Sequence, residues 1–299
     1  IKINHRIAPV LPGHGDNSVF NLLRLMPGIL AAGEQSNDLL IWGGYESHSK
    51  IQFDGFTIFG LKNFNDNISV VNPFMVKNIE VMKGGYEARY GGRVGGIVDI
   101  TGKNGTLQKP TFTFNINTTT LNSLLEIPLS KKSSVLGAYR QTYYQLYDPT
   151  NLNLFQRNNG NGGQHSMNGG VESGIDFTVN PNFNFRDANL KYSYRGDNGS
   201  QLSLSLYGGG DTFFYDMEGE YFNNQITRSE EERNRQLGSS LQFSFPGQNG
   251  NSTKLTASYS LFERMAEEQN KNENIRKGTN RITKNIVSEN NVDEITINA

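Results

Sequence analysis

The stretch Asp187-Ala188-Asn189-Leu190-Lys191-Tyr192-Ser193-Tyr194-Arg195-Gly196-Asp197-Asn198-Gly199-Ser200-Gln201-Leu202-Ser203-Leu204-Ser205-Leu206 holds two alternating runs joined by a polar turn. Ala188, Leu190, Tyr192 and Tyr194 take one parity, and Asp187, Asn189, Lys191 and Ser193 the other. Beyond the Gly-Asp-Asn-Gly turn, Leu202, Leu204 and Leu206 alternate with Gln201, Ser203 and Ser205. Successive side chains of a strand point to opposite faces, so each run predicts a strand with one apolar and one polar face. The pattern recurs at Phe112, Phe114 and Ile116, at Leu241, Phe243 and Phe245, and at Leu255, Ala257, Tyr259 and Leu261. Each run is close to the roughly 9–11 residues that a tilted strand needs to cross a bilayer. Strands are predicted over 110–118, 121–129, 133–143, 184–195, 200–208, 236–245 and 253–264, with a weaker one within 280–298.

The connections alternate as well. Short polar turns fall at Ser130–Ser133, Gly196–Gly199 and Pro246–Asn251, and the reading places long loops at Tyr144–Pro181, Asp211–Arg235 and Glu267–Thr279. Short turns on the periplasmic side and long loops outside are the habit of outer-membrane barrels. A soluble sandwich or up-and-down barrel also alternates, but rarely segregates its connections in this way.

Composition narrows the classes. The chain has 299 residues, with 28 Lys+Arg against 29 Asp+Glu, so net charge supplies no attraction to nucleic acid. Mean hydropathy is −0.55, and no run reaches the ~18 apolar residues of a membrane helix. Zero Cys excludes disulfides, Cys-ligated zinc and a thiol nucleophile. The four histidines, His5, His14, His48 and His165, show no metal-binding spacing, and no phosphate-loop signature or Ser/His/Asp arrangement stands out. No enzyme, metal or cofactor is expected.

Residues 1–105 read differently, as a small α/β domain ahead of a strand-rich 106–299. Asp16-Asn17-Ser18 caps a short helix over 19–26, which Pro27-Gly28 ends. Asp54-Gly55, between strand candidates 50–53 and 57–59, predicts a tight hairpin, because a type I′ turn needs φ > 0. A helical turn at Pro73–Lys77 and strands at Asn78–Met82 and Gly96–Ile100 complete it. A barrel of eight strands is filled by its own side chains, whereas 22-stranded barrels have a plugged lumen. Either the first domain sits outside the barrel, or the strands are an incomplete part of a 22-stranded transmembrane β-barrel; the weak last strand favours the second. The start at Ile1 reads as the interior of a longer protein.

Three segments carry a family resemblance: Leu22-Leu23-Arg24-Leu25-Met26-Pro27-Gly28-Ile29, Ile51-Gln52-Phe53-Asp54-Gly55, and Asn72-Pro73 through Ile79-Glu80-Val81, Lys83-Gly84-Gly85, Ala88-Arg89-Tyr90-Gly91-Gly92-Arg93 and Val98-Asp99-Ile100. Their order resembles the plug domain of TonB-dependent outer-membrane receptors, in a Bacteroidetes-type version distinct from the glycan-importing branch. The resemblance implies ligand-gated uptake of a scarce nutrient (a siderophore, glycan or peptide) through the outer membrane, driven by a TonB-ExbB-ExbD-type inner-membrane motor. A surface lipoprotein and outer-membrane lipids are further implied partners. It places ligand contacts in the outward plug loops, at Glu34, at Tyr45, Glu46 and His48, and at Lys62 and Phe64. It places contacts between plug and barrel wall at Glu87, Arg89 and Arg93, and at Trp42, where the family usually carries Arg. The alternative is a receptor-like barrel serving as a subunit of a larger outer-membrane secretion or surface assembly.

Overall fold

In a computed structural model of the chain, the described residues are 2–3, 19, 23, 26–31, 39–41, 48–59, 62–63, 68–87, 89–92, 95–117, 119–143, 176–221, 224–247, 251–274 and 279–298. The first third is made of short strands: β1 (Lys2–Ile3), β2 (Ile29–Ala31), β3 (Leu39–Ile41), β4 (Lys50–Phe53), β5 (Phe56–Thr57), β6 (Lys62–Asn63), β7 (Ile68–Ser69), β8 (Val76–Met82) and β9 (Ile97–Gly102). Five of them form one sheet in the order β1-β8-β9-β4-β5, with β4 parallel to β9. Ile51, Phe53, Ile79, Val81, Val98 and Ile100 bury themselves within it. Each such side chain contributes about 1.5–3 kcal/mol through removal from water. Asp54 and Gly55 both take positive φ, +48° and +94°, and close the β4–β5 hairpin as that dipeptide requires. The turn at Pro73 is a 3-10 helix over Pro73–Met75, capped by the Asn72 side chain, which accepts from the Phe74 N–H at 2.9 Å. Val19 and Leu23 are helical, one turn apart and buried; the other helix positions before Met26 lie outside the described residues.

The remainder is one antiparallel sheet of eight strands in chain order: β10 (Thr111–Ile116), β11 (Thr120–Pro128), β12 (Ser133–Thr142), β13 (Asp176–Arg195), β14 (Gln201–Tyr221), β15 (Asn224–Pro246), β16 (Ser252–Asn274) and β17 (Thr279–Asn298). Among the described residues β10 and β17 are its two edges. The polar turn after Arg195 closes through the Gly196 N–H to the Ser200 carbonyl at 2.8 Å, with Gly199 at φ +82°.

Burial in this sheet runs opposite to that of a water-soluble fold. Leu190, Leu204, Leu206, Leu241, Phe243, Leu255 and Tyr259 are exposed. Their polar neighbours Asp187, Asn189, Lys191, Ser193, Ser205, Ser240, Ser258 and Ser260 are buried. A soluble sandwich turns its apolar parity inward. Here that parity points away from the protein and the polar parity meets the first third of the chain, as in a membrane barrel with an occupied interior.

Two predicted connections are corrected. Asp211–Arg235 is not a loop: β14 and β15 continue in register from Asp211↔Asn234 to Tyr221↔Asn224. In the Glu267–Thr279 segment β16 extends to Asn274 and β17 starts at Thr279, while 275–278 lie outside the described residues. These positions carry charge on both parities, which hides a strand from a pattern search, yet backbone pairing needs no apolar face once both sides meet water. Of the Tyr144–Pro181 loop, 176–181 is strand and 144–175 lies outside the described residues. At 20–23 residues, β13 to β17 run about 65–75 Å, well beyond an apolar band about 25 Å tall.

Candidate functional site

The functional candidate is the seam between the small domain and the wall. Its centre is Asp54, which the hairpin turn points at the inward parity of the sheet. Asp54 Oδ1 accepts the Gly102 N–H at 2.9 Å. Its Oδ2 accepts Lys191 Nζ of β13 at 2.8 Å and Ser205 Oγ of β14 at 2.9 Å. Lys191 Nζ also donates to the Gly102 carbonyl at 3.1 Å, and Gln242 of β15 donates to the Asp54 carbonyl at 2.6 Å. The Asp54 and Lys191 side chains are each 2% exposed, so the pair is fully desolvated and held by neutral donors and acceptors. One turn residue thus joins three wall strands to the end of β9.

A second buried cation comes from the wall. Arg140 of β12 donates to the Ser69 carbonyl at 2.7 Å and ion-pairs with Asp187 of β13, under the Phe185 ring at 4.8 Å. Asn72 and Asn122 exchange amide hydrogen bonds at 3.0 and 3.1 Å. Gln236 of β15 clamps Phe59, accepting from its N–H at 2.8 Å and donating to its carbonyl at 2.9 Å. Ser260 of β16 accepts from the Thr57 N–H at 2.8 Å. Glu294 of β17 accepts from Lys50 Nζ at 2.6 Å and Thr57 Oγ1 at 2.8 Å. Every strand from β11 to β17 supplies a contact, and nearly all are polar. Such a seam is specific, each neutral exchanged bond having a net worth of about 0.5–1.5 kcal/mol and each bond to a charged group about 1.5–3 kcal/mol.

Shape complementarity enters at Phe56. Its ring stacks on Tyr207 of β14, with centroids 6.1 Å apart, and lies over Gly238 of β15. A Cβ at Gly238 would overlap that ring, so glycine is what lets the wall approach.

The residues expected from sequence distribute as follows. His48 is half-buried; its carbonyl accepts the Gly95 N–H at 2.9 Å, and a Cβ at Gly95 would sit 2.9 Å from that oxygen. Lys62 lies on β6, opposite Ser69 of β7. Arg89 pairs with Glu87 at 2.9 Å and covers the Tyr90 ring at 4.7 Å, so both charges are engaged locally. Glu34, Trp42, Tyr45, Glu46, Phe64 and Arg93 lie outside the described residues. Sequence reading missed Asp54, read only as a turn, and the wall partners Lys191, Arg140, Gln236 and Glu294. The signal for Lys191 was present: a lysine on the polar parity of a strand whose other parity is continuous Leu and Tyr.

A small domain is thus seated against the polar face of a sheet whose apolar face points outward. Residues 10–97 match the family model of the TonB-dependent Receptor Plug Domain. No curated protein matches the chain. Solved structures with a similar course include a ferric enterobactin receptor mutant of Pseudomonas aeruginosa (14% identity, 100% of this chain and 58% of that chain, TM-score 0.46). The siderophore receptor PirA of the same organism (14%, 100% and 57%, 0.43) and the alcaligin outer membrane receptor FauA of Bordetella pertussis (11%, 99% and 58%, 0.44) are others. The chain thus spans less than three fifths of the length of these structures.

Proposed function

We propose that this chain is the plug and part of the wall of an outer-membrane receptor that takes up a scarce ligand without covalent chemistry. Residues 1–105 act as the plug and 106–299 as wall. The single observation behind this reading is the polar seam, with a plug-family segment bonded through Asp54, Thr57 and Phe59 to inward-facing side chains of a sheet whose apolar side chains face outward. Ligand binds on the outer side, at Glu34, Tyr45, Glu46, His48, Lys62 and Phe64. In this reading Trp42, Glu87, Arg89 and Arg93 contribute further contacts between plug and wall. Binding shifts the plug between two states, and a TonB-type inner-membrane motor moves it aside.

The test is a reversible lock. Thr57→Cys with Ser260→Cys bridges plug and wall across an existing contact. In a strain relying on the full receptor, growth is followed on a panel of ferric chelates, cobalamin, oligosaccharides and peptides, each as the limiting source. Deletion abolishes growth on one source; the oxidised double variant does the same, and reductant restores it. Unimpaired uptake with the bridge formed overturns the reading.

A further inference from the structure

The outward parity of the wall can be read row by row from the strand register. Tyr192, Leu204, Leu241 and Ala257 form one row, and Leu190, Leu206, Ser239 and Tyr259 the next. Above these come Tyr139, Ala188, Gly208, Leu237 and Leu261. The following row is Gln141, Arg186, Gly210, Arg235 and Glu263, where the apolar band stops. Arg186 and Arg235 flank Gly210 on adjacent strands, so their backbones stand about 10 Å apart with a side-chain-deep notch between them.

We propose that this notch binds the phosphate of a lipid in the outer leaflet of the membrane; the proposal rests on the reading of the sheet as membrane wall. A cavity of about 490 Å³ opens here, lined by Tyr139, Arg186, Gly208, Gly210, Arg233 and Arg235. It also reaches Asp187 and Asp211, whose carboxylates are held by Arg140 and by Asn234 Nδ2 (3.1 Å). Among the described residues Arg186 makes no ion pair. Arg235 meets Glu263 only at 3.6 Å with both side chains exposed, a weak and exchangeable rim pair, while Arg233 pairs at 2.5 Å with half-buried Glu231.

Position selects the ligand. From the short turn at Gly196 to Arg186 is ten residues, about 33 Å along the strand and about 25 Å along the membrane normal at ordinary tilt, which is the height of an apolar band. An occupant of the notch therefore has its anion at the headgroup level of the leaflet opposite the short turns and its tails against Leu190, Leu206 and Leu237. Two forked guanidinium groups suit a phosphate better than a single point charge does.

The experiment uses the full receptor, purified from outer membranes in mild detergent. Native mass spectrometry compares retention of diphosphoryl lipid A with its dephosphorylated form. Wild type retains the phosphorylated lipid preferentially; Arg186→Gln with Arg235→Gln lowers that retention at least tenfold, and Arg186→Lys with Arg235→Lys keeps part of it. Heat-modifiable migration on gels shows that each variant still forms the barrel. Equal retention of the two lipids by wild type, or unchanged retention by the Gln variant with the barrel intact, overturns the proposal and leaves the wall reading standing. Recovery of the wild-type receptor in the aqueous fraction overturns both.

Discussion

Asp54 shows how much one residue carries. It supplies a positive-φ turn position and a desolvated carboxylate bonded to Lys191, Ser205 and Gly102. Lys191→Met leaves that carboxylate buried without its cation and should destabilise the seated plug by about 3–5 kcal/mol. Asp54→Asn combined with Lys191→Met should cost much less than the two singles summed, and denaturant melts of the receptor in detergent measure the difference as a double-mutant cycle. Gly238→Ala tests fit rather than charge. The added methyl overlaps Phe56, so the variant should lose about 1–3 kcal/mol and show faster proteolysis of the plug, while retaining a barrel signature by circular dichroism. Asp99, on β9, accepts from the Tyr90 hydroxyl at 2.9 Å, and burial is the main cause that raises its carboxyl above the ordinary range. A raised folded-state value favours the protonated form, so its contribution is most favourable at low pH and is lost as pH rises through the folded-state value. Asp99→Asn should therefore flatten the pH dependence of plug stability and gain stability at neutral pH, as read from melting temperatures at pH 5 and pH 8.

At the scale of elements, the hairpin and the strand cores were legible in the sequence while the strand ends were not. Asp54-Gly55 has one cheap conformation, and alternation over 188–194 or 202–206 admits one orientation relative to an apolar medium. The extensions of β14 to β17 have no such constraint. Arg228 and Glu230 on one parity and Glu231 and Arg233 on the other all engage in ion pairs, so this segment leaves no period-2 hydropathy signal. Wall partners such as Gln236 and Glu294 were illegible for another reason: they are ordinary polar residues until the plug is docked against them. The extended hairpin makes a direct prediction. Met217 and Arg228 lie opposite one another, so Met217→Cys with Arg228→Cys should crosslink efficiently under mild oxidation, whereas Met217→Cys with Glu231→Cys, out of register, should not. Equal crosslinking of both pairs would mean that this segment is a loop after all.

For the whole molecule, the two parts obey opposite rules of burial. The plug hides Ile79, Ile97 and Ile100 from solvent, while the wall displays Leu190, Leu241 and Leu255 and hides Ser205 and Ser260. This contrast was readable in outline, because 1–105 has hairpin and cap signals with clustered aliphatics, whereas 106–299 has long dyad runs. Its consequence is temporal. The plug core can condense in water as soon as its residues are available, since the hydrophobic effect acts on it there. The wall has no such aqueous resting state: in water its continuous rows of leucine and aromatic side chains would seek one another, and only contact with hydrocarbon relieves them. The two parts therefore fold on separate schedules, the early segment in water and the later one only when lipid arrives. Side chains such as Arg140 and Lys191 gain their partners only when these two schedules meet.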